Sequence, residues 1–421
     1  MTVAAFTLGC KVNQYDTDSI LKDFSALGFT ICDFESKADV YLINTCTVTN
    51  ISDKKSRQMI NRAYKRNPAA LIIAYGCYAK VAPHILKELQ GVSLVLGPDQ
   101  KKEVAQITIA KLQKEKTIVN TIEKSRGIGS EGQKRIRAYL KIQDGCDRYC
   151  SYCIVPYARG GSVSRDIEDT AAEAELLIEN GYKEIILTGI QIAAYGNDLN
   201  RLIKRIHDIP GLCRLRLGSL APDVIDEEFL KNASNLPKLC DHFHISLQSG
   251  CDRILASMNR KYTAAEYAGM SEAVRAYFPK AALTTDIIVG FPGETEEDFD
   301  ETLKFAEKIG FFRIHVFVYS PKENTAAAKF TGQLDIEVKE RRSRILRDLA
   351  ERMNYGFYRQ NIKKTFPVLF ESEFNGFWEG HTTQYMTVRV HSKENLCNHI
   401  IPVTLKEYCN GVVYGEIYNG G

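Results

Sequence analysis

The sequence lacks the features that would place the chain in a membrane or carry it out of the cell. It has no run of about 18 apolar residues, which excludes an ordinary membrane-spanning helix. Met1 to Leu8 lack the basic segment and long apolar stretch of a signal peptide, so a soluble, cytoplasmic protein is expected. Tandem repeats and low-complexity tracts are also missing. Charge of one sign is scarce: 55 Lys and Arg against 52 Asp and Glu leave a net +3, which by itself argues for no polyanionic partner.

What is there fills more than one core. With 421 residues, 44% hydrophobic and 25% charged, two or three globular units are expected. Positive charge is concentrated locally. Lys339 to Lys364 holds nine Lys or Arg against three acids, and Lys54 to Arg66 holds six with none. Each stretch is either a surface for RNA phosphate or a solvated helix face. Twelve cysteines in a chain expected in the reducing cytosol argue against a disulfide framework and for metal ligation or catalysis.

The chain has three textures. Strand-like runs at Val3–Leu8, Val40–Thr45, Leu71–Tyr75 and Leu94–Leu96 alternate with helix-compatible segments near 15–27, 50–66 and 81–90. This predicts an α/β N-terminal domain over 1–100 with a mainly parallel sheet, whose ligands gather at the carboxyl ends of the strands. Residues 101–135, rich in Lys, Gln and Gly, read as a linker with a strand at Thr117–Ile122. Over 136–360 come six apolar strand candidates separated by helical segments: Ile136–Ile142, Glu184–Leu187, Arg214–Leu217, His242–Leu247, Leu283–Val289 and Arg313–Val318. They predict a partial (β/α)6 barrel. The tail, 361–421, alternates at Phe366–Phe370, Tyr385–Val390, Ile400–Leu405 and Val412–Ile417, as a small antiparallel β-barrel does.

Cys146, Cys150 and Cys153 lie within eight positions, directly after the first strand of the expected barrel. Structural zinc normally takes four Cys or His ligands, and no fourth stands at finger-like spacing. A 4Fe-4S cluster on three thiolates instead keeps one iron open to an outside ligand. Cys10, Cys46 and Cys77 each follow a strand-like run, which brings them to one sheet edge. They are either a second three-thiolate site or three separately buried thiols. Cys32, Cys213, Cys240, Cys251, Cys397 and Cys409 read as core or incidental thiols.

Cys-x3-Cys-x2-Cys, with the aromatic Tyr152 before the last Cys, resembles the signature of the radical S-adenosylmethionine superfamily. Gly9-Cys10-Lys11-Val12-Asn13-Gln14, Asn44-Thr45-Cys46 and Tyr75-Gly76-Cys77 resemble the segments with which its methylthiotransferase family holds an auxiliary 4Fe-4S cluster. The likeness runs on through Leu187-Thr188-Gly189, His244 to Gly250, Met258 to Tyr262 and Thr285 to Thr295. It implies two 4Fe-4S clusters, on Cys146, Cys150 and Cys153 and on Cys10, Cys46 and Cys77. It also implies S-adenosylmethionine as methyl donor and radical source, with Tyr152, Thr188, Gly189, Gln248 and Val289 around it. An external one-electron donor and a monomeric enzyme acting on tRNA complete the expectation. There are two departures: Ala221 stands where the family usually has Glu, and Asn324 where it has Gly.

The tail resembles the TRAM domain, an RNA-binding barrel, in Gly380-His381-Thr382-Thr383-Gln384-Tyr385. Lys363, Lys364, Tyr385 and Arg389 are its candidate RNA contacts, helped by the basic helix before it. The lone Trp378, with Phe377, is expected to pack on the barrel rather than stack on a base. The Lys-Val-Asn-Gln run after Cys10 resembles the subgroup that converts N6-threonylcarbamoyladenosine at tRNA position 37 to its 2-methylthio derivative. The alternatives are methylthiolation of isopentenyladenosine in tRNA, methylthiolation of a ribosomal-protein aspartate, or, in another class, a non-catalytic iron-sulfur protein that binds RNA or senses redox state.

Overall fold

The structure is a computed structural model that describes residues 1–114, 135–196 and 198–418; the strand expected at Thr117–Ile122 lies outside them. The chain divides into two compact units. One comprises the described parts of Met1–Lys134 with Asp144–Val163 and Ser320–Ala328. The other comprises Arg135–Gln143, Ser164–Tyr319 and the described parts of Lys329–Gly421. Among the described residues no helix is long and apolar enough to cross a membrane.

The first unit is built on a five-stranded parallel sheet. Its strands lie in the order Thr30–Cys32, Thr2–Thr7, Val40–Thr45, Leu71–Gly76, Val92–Leu96. Val40–Thr45 and Leu71–Gly76 are buried at every position, which is why they read as continuous apolar runs rather than alternating ones. Ile20, Phe24, Val104 and Leu112 pack in one core cluster, and Ile60, Ala63, Tyr78 and Leu86 in another.

Two elements of this unit differ from the sequence expectation. The edge strand Thr30–Cys32, three residues long and partly exposed, is too short to carry a pattern. The linker expected from residue 101 opens instead with a helix, Val104–Lys114. Val104, Ala105, Thr108 and Leu112 are buried, and this spacing makes one apolar stripe among the lysines.

All six strands expected in the second unit form. Arg214–Leu217, Glu184–Thr188 and Arg137–Lys141 make one parallel sheet; Ser219–Leu220, His242–Ile245, Ala282–Val289 and Arg313–Val318 make another. A parallel bridge joins Leu215 to Leu239, and among the described residues Arg137–Lys141 and Arg313–Val318 are the edge strands. The covering helices start where local chemistry tells them to. Thr263 and Thr295 each accept the N3 amide in a reciprocal capping box with Glu266 and Asp298.

The helix Ile336–Asn361 leads into a closed five-stranded barrel of Thr365–Phe374, Phe377–His381, Thr387–His391, Val412–Ile417 and Ile400–Cys409. The barrel is not wholly antiparallel as expected: Thr387–His391 pairs in parallel with Val412–Ile417. Phe377–His381 carries Glu, Gly and His at three of its five positions, so it lacks an apolar run to announce it.

Charge is buried where this barrel meets the amino-terminal ends of the parallel strands. Arg216 Nε donates to Glu184 Oε1 at 2.7 Å, and both side chains are fully buried. The remaining nitrogens of Arg216 donate to the carbonyls of Thr382 and Thr383, and Arg214 donates to those of Pro367 and His381. A buried ion pair persists only when its spare donors find partners, and here the barrel's turns supply them.

Candidate functional site

In a doubly wound sheet of this strand order, the connections on either side of the first strand run in opposite directions. A crevice opens at the carboxyl edge between strands one and three. Cys10 follows the first of these, Thr2–Thr7, and N-caps the helix Lys11–Ala26. Cys46 follows the other, Val40–Thr45, and Cys77 follows the neighbouring Leu71–Gly76.

Side-chain hydrogen bonds stitch the three segments together. Asn13 Nδ2 donates to the carbonyls of Leu8 (2.8 Å) and Thr45 (3.3 Å). Thr45 Oγ1 donates to the Tyr75 carbonyl (2.6 Å) and accepts from the Ala79 amide (3.2 Å). Gly76 adopts φ 104° and ψ −158°, a conformation essentially confined to glycine, and a Cβ there would meet Asn44 Oδ1 at 2.4 Å. A Cβ on Gly9 would lie 3.0 Å from Cys46 Sγ, so the Cys10 and Cys46 loops touch.

The thiols also sense one another electrically. Burial raises the Cys46 thiol, and the neighbouring Cys10 adds to it. Burial pushes Cys77 up to about 12; Arg159 pulls it down while Cys10 and Cys46 push it further up.

The compact triplet sits on a loop that closes on itself. Gly145 takes φ 70°, with no space for a side chain: a Cβ would fall 1.9 Å from the Gly161 carbonyl oxygen. The Cys146 amide donates to the Gly160 carbonyl at 3.1 Å, the Cys153 amide to the Cys150 carbonyl at 2.9 Å and the Ser162 amide to Asp147 Oδ2 at 2.9 Å. All three cysteines, and Tyr152 beside them, are half-buried. Burial raises the Cys146 thiol, and Cys150 contributes in the same sense.

Ligand spacing tests which metal these sets suit. Four sulfurs around one zinc ion stand about 3.8 Å apart, given Zn–S bonds near 2.3 Å. Among the described residues, the group with three ligand atoms within 4.8 Å of one another is His244, Asp286 and His315, and neither cysteine triplet is drawn in so tightly. Three thiols with no fourth Cys or His at finger-like spacing in the sequence suit a polynuclear cluster better than a single zinc ion.

The sequence reading missed Arg159. This guanidinium, 1% exposed, donates from Nη1 to both oxygens of Asp144 (2.8 and 2.9 Å). From Nη2 it donates to Asn13 Oδ1 (2.6 Å) and to Asp16 Oδ2 (3.1 Å). It closes the helix Val155–Arg159 that follows Cys153. No periodicity marks such a residue; its only signal is a cation six positions beyond the last cysteine. Lys322 was also missed: nearly buried, it donates to Asp53 Oδ2 at 2.6 Å.

In the second unit, Thr188 ends its strand buried, and Gly189 stands beside Gln143, whose Oε1 accepts from the Gln191 amide at 2.7 Å. Gln248 holds φ 74°, uncommon for a residue with a side chain, through an exchange of backbone hydrogen bonds with Asp286 and Ile288. Val289 is 0% exposed and its side chain belongs to the core, so only its backbone faces the strand end.

On the face of the sheet that carries Asp286 lies a hydrogen-bonded chain. His242 Nε2 and His244 Nδ1 each lie 3.0 Å from Thr284 Oγ1, and His244 Nε2 lies 3.2 Å from Asp286 Oδ2. His315 Nδ1 lies 3.1 Å from Asp286 Oδ1. The imidazoles outweigh burial and hold the Asp286 carboxyl well below its usual range.

Of the expected RNA contacts, Lys363 and Lys364 are exposed, and Arg389 is paired with Glu379 at 2.8 Å. Tyr385 is turned inward. At φ 70° its ring stacks on His242 and His381, with the Arg216 and Arg137 guanidiniums over it at 4.8 and 5.1 Å. It fastens the barrel to the strands, because an aromatic face is a good partner for desolvated cations. Trp378 packs against the barrel core. On the helix Ile336–Asn361, Arg342 is buried against Glu294 at 2.6 Å, whereas Arg344, Arg347, Arg352 and Arg359 are exposed.

Comparison with known proteins agrees with this anatomy. Residues 140–306 match the radical SAM superfamily and residues 2–97 the uncharacterized protein family UPF0004. The threonylcarbamoyladenosine tRNA methylthiotransferase MtaB of Aquifex aeolicus is 40% identical over 89% of this chain and 93% of its own length. MtaB of Bacillus subtilis is 37% identical over 96% and 93%. The tRNA-2-methylthio-N(6)-dimethylallyladenosine synthase of Endomicrobium trichonymphae is 34% identical over 98% of each chain. Among solved structures, the radical S-adenosylmethionine methyltransferase TsrM of Kitasatospora setae superposes with a TM-score of 0.58 over 78% of this chain and 77% of its own. At 17% identity that likeness is one of fold. By relatives that match it nearly end to end, this chain belongs to the radical S-adenosylmethionine methylthiotransferase family.

Proposed function

We propose that this enzyme places a methylthio group on C2 of N6-threonylcarbamoyladenosine at tRNA position 37, with one 4Fe-4S cluster on Cys146, Cys150 and Cys153 and a second on Cys10, Cys46 and Cys77. The observation that carries the reading is the presence of two three-cysteine sets in one compact unit. When bound, such clusters supply an electron to cleave S-adenosylmethionine at one site and an open iron for sulfur at the other.

The chain's own part is placement. The Gly145 turn and the Cys146–Gly160 hydrogen bond shape one three-thiol loop, and the Asn13 and Thr45 hydrogen bonds hold the other set together. Thr188, Gly189, Tyr152 and Gln248 are assigned to S-adenosylmethionine, with Val289 contributing backbone only. Lys363, Lys364 and the exposed arginines of the preceding helix are assigned to RNA phosphate, next to a TRAM-like barrel. An external one-electron donor completes the system.

The MtaB relatives support threonylcarbamoyladenosine as substrate, and the dimethylallyladenosine synthase at 34% identity keeps a second nucleoside in the test. Nucleosides from tRNA of a deletion strain, separated by mass spectrometry, are expected to lack 2-methylthio-N6-threonylcarbamoyladenosine and regain it on complementation. Loss of the methylthio-isopentenyl nucleoside instead would move the enzyme to the other substrate. No change in either would sink the tRNA reading.

A further inference from the structure

A buried guanidinium must offset a large desolvation cost, and Arg159 does so with groups drawn from both cysteine segments. Asn13 and Asp16 lie on the helix that begins after Cys10, and Asp144 stands two residues before Cys146. The helix Cys77–Val81 packs against the helix Val155–Arg159, and the Arg159 charge pulls the Cys77 thiol downward. Asp16, itself 1% exposed, has Lys101 Nζ 3.6 Å away on its other side. Arg159 Nε, also buried, has no partner among the described residues. The cation therefore has unspent hydrogen-bonding capacity next to thiols that, once metallated, carry negative charge.

We propose that Arg159 is a positioning residue shared by the two cysteine sets: it ties the Cys146–Cys153 loop to the Cys10 helix, and its charge raises the reduction potential of the cluster on Cys10, Cys46 and Cys77. This rests on the reading that these three cysteines hold a cluster. Reduction adds one electron to the cluster, so a fixed positive charge nearby stabilises the reduced form. Asp144, closer to solvent at 32% exposure, works in the opposite sense by offsetting part of that charge.

The test uses full-length, anaerobically reconstituted protein carrying Cys146→Ala, Cys150→Ala and Cys153→Ala, so that only the dispersed set remains. It is titrated with dithionite and followed by electron paramagnetic resonance. About four irons per chain are expected in this background, and their absence would overturn the cluster reading itself rather than the role of Arg159. With iron present, Arg159→Met is expected to shift the midpoint potential downward, Asp144→Asn to shift it upward, and Arg159→Lys to stay near the parent. If Arg159→Met takes up no iron, the Asp144→Asn arm decides. Potentials that do not move, that move in the same direction in both variants, or that fall as far in Arg159→Lys as in Arg159→Met, would overturn the proposal.

Discussion

Gly145 has the tightest steric requirement in the cysteine loop, because an added Cβ would drive into the Gly161 carbonyl oxygen at 1.9 Å. Gly145→Ala is expected to lose about four irons while the set on Cys10, Cys46 and Cys77 keeps its own, as read by iron and sulfide assay of anaerobic protein. Asn324 stands where the family usually has glycine, and its φ of 72° shows why the exchange is tolerated. Asn is among the few residues that visit this region without large strain. Asn324→Gly should leave stability nearly unchanged, and Asn324→Val should cost about 1–2 kcal/mol in denaturant unfolding.

Glu184 adds a pH dependence. Burial pushes its carboxyl up, but Arg216, with Arg137 and Arg214, holds it at about 2. The folded value lies below the unfolded value of about 4.3. Its stabilisation is therefore present above that pH and is lost as pH falls toward 2. Glu184→Gln should flatten the acid limb of a urea-midpoint-against-pH curve. It should also cost about 3–5 kcal/mol near neutrality by leaving Arg216 unpaired. An unchanged acid limb would show that the pair does not govern acid sensitivity.

Among the elements, the helix Ile336–Asn361 combines two kinds of positive charge that look alike in the sequence. Lys339 and Arg342 are buried, Arg342 in an ion pair with Glu294, while Arg344, Arg347 and Arg352 face outward. Changing the outward three to Gln should weaken tRNA binding and reduce the salt dependence of log K by up to about three units, near 0.9 for each phosphate that is no longer neutralised. Melting temperature should stay close to the parent's. Filter binding at several salt concentrations separates this from Arg342→Gln, which should lower stability first. The helix Val104–Lys114 shows the converse case, where a Lys-rich stretch hid a core stripe. Leu112→Ala should cost about 2–5 kcal/mol.

Over the whole molecule the two three-cysteine sets make reciprocal predictions. Replacing Cys10, Cys46 and Cys77 by Ala, or Cys146, Cys150 and Cys153, should each take iron from about eight to about four per chain. Release of 5′-deoxyadenosine should survive only in the first variant. One cluster abolished by either triple substitution would mean a single shared centre.

The sequence by itself determined four of the five strands of the parallel sheet, the six strands of the open barrel and the compact cysteine triplet, because each is written in contiguous residues as an apolar run or a fixed spacing. It also brought Cys10, Cys46 and Cys77 to strand ends, since a thiol following a strand lands at the carboxyl edge whatever the packing. Tertiary structure alone decided that Cys10 and Cys46 flank the crevice, which depends on strand order. It decided that Tyr385 turns inward, which depends on the arginines of strands far earlier in the chain. It also placed Arg159 between the two cysteine segments, through hydrogen bonds to Asn13 and Asp16 that span 146 and 143 residues. A contact of that reach leaves no periodicity behind, because the energy that selects it is the desolvation of one cation in a folded interior.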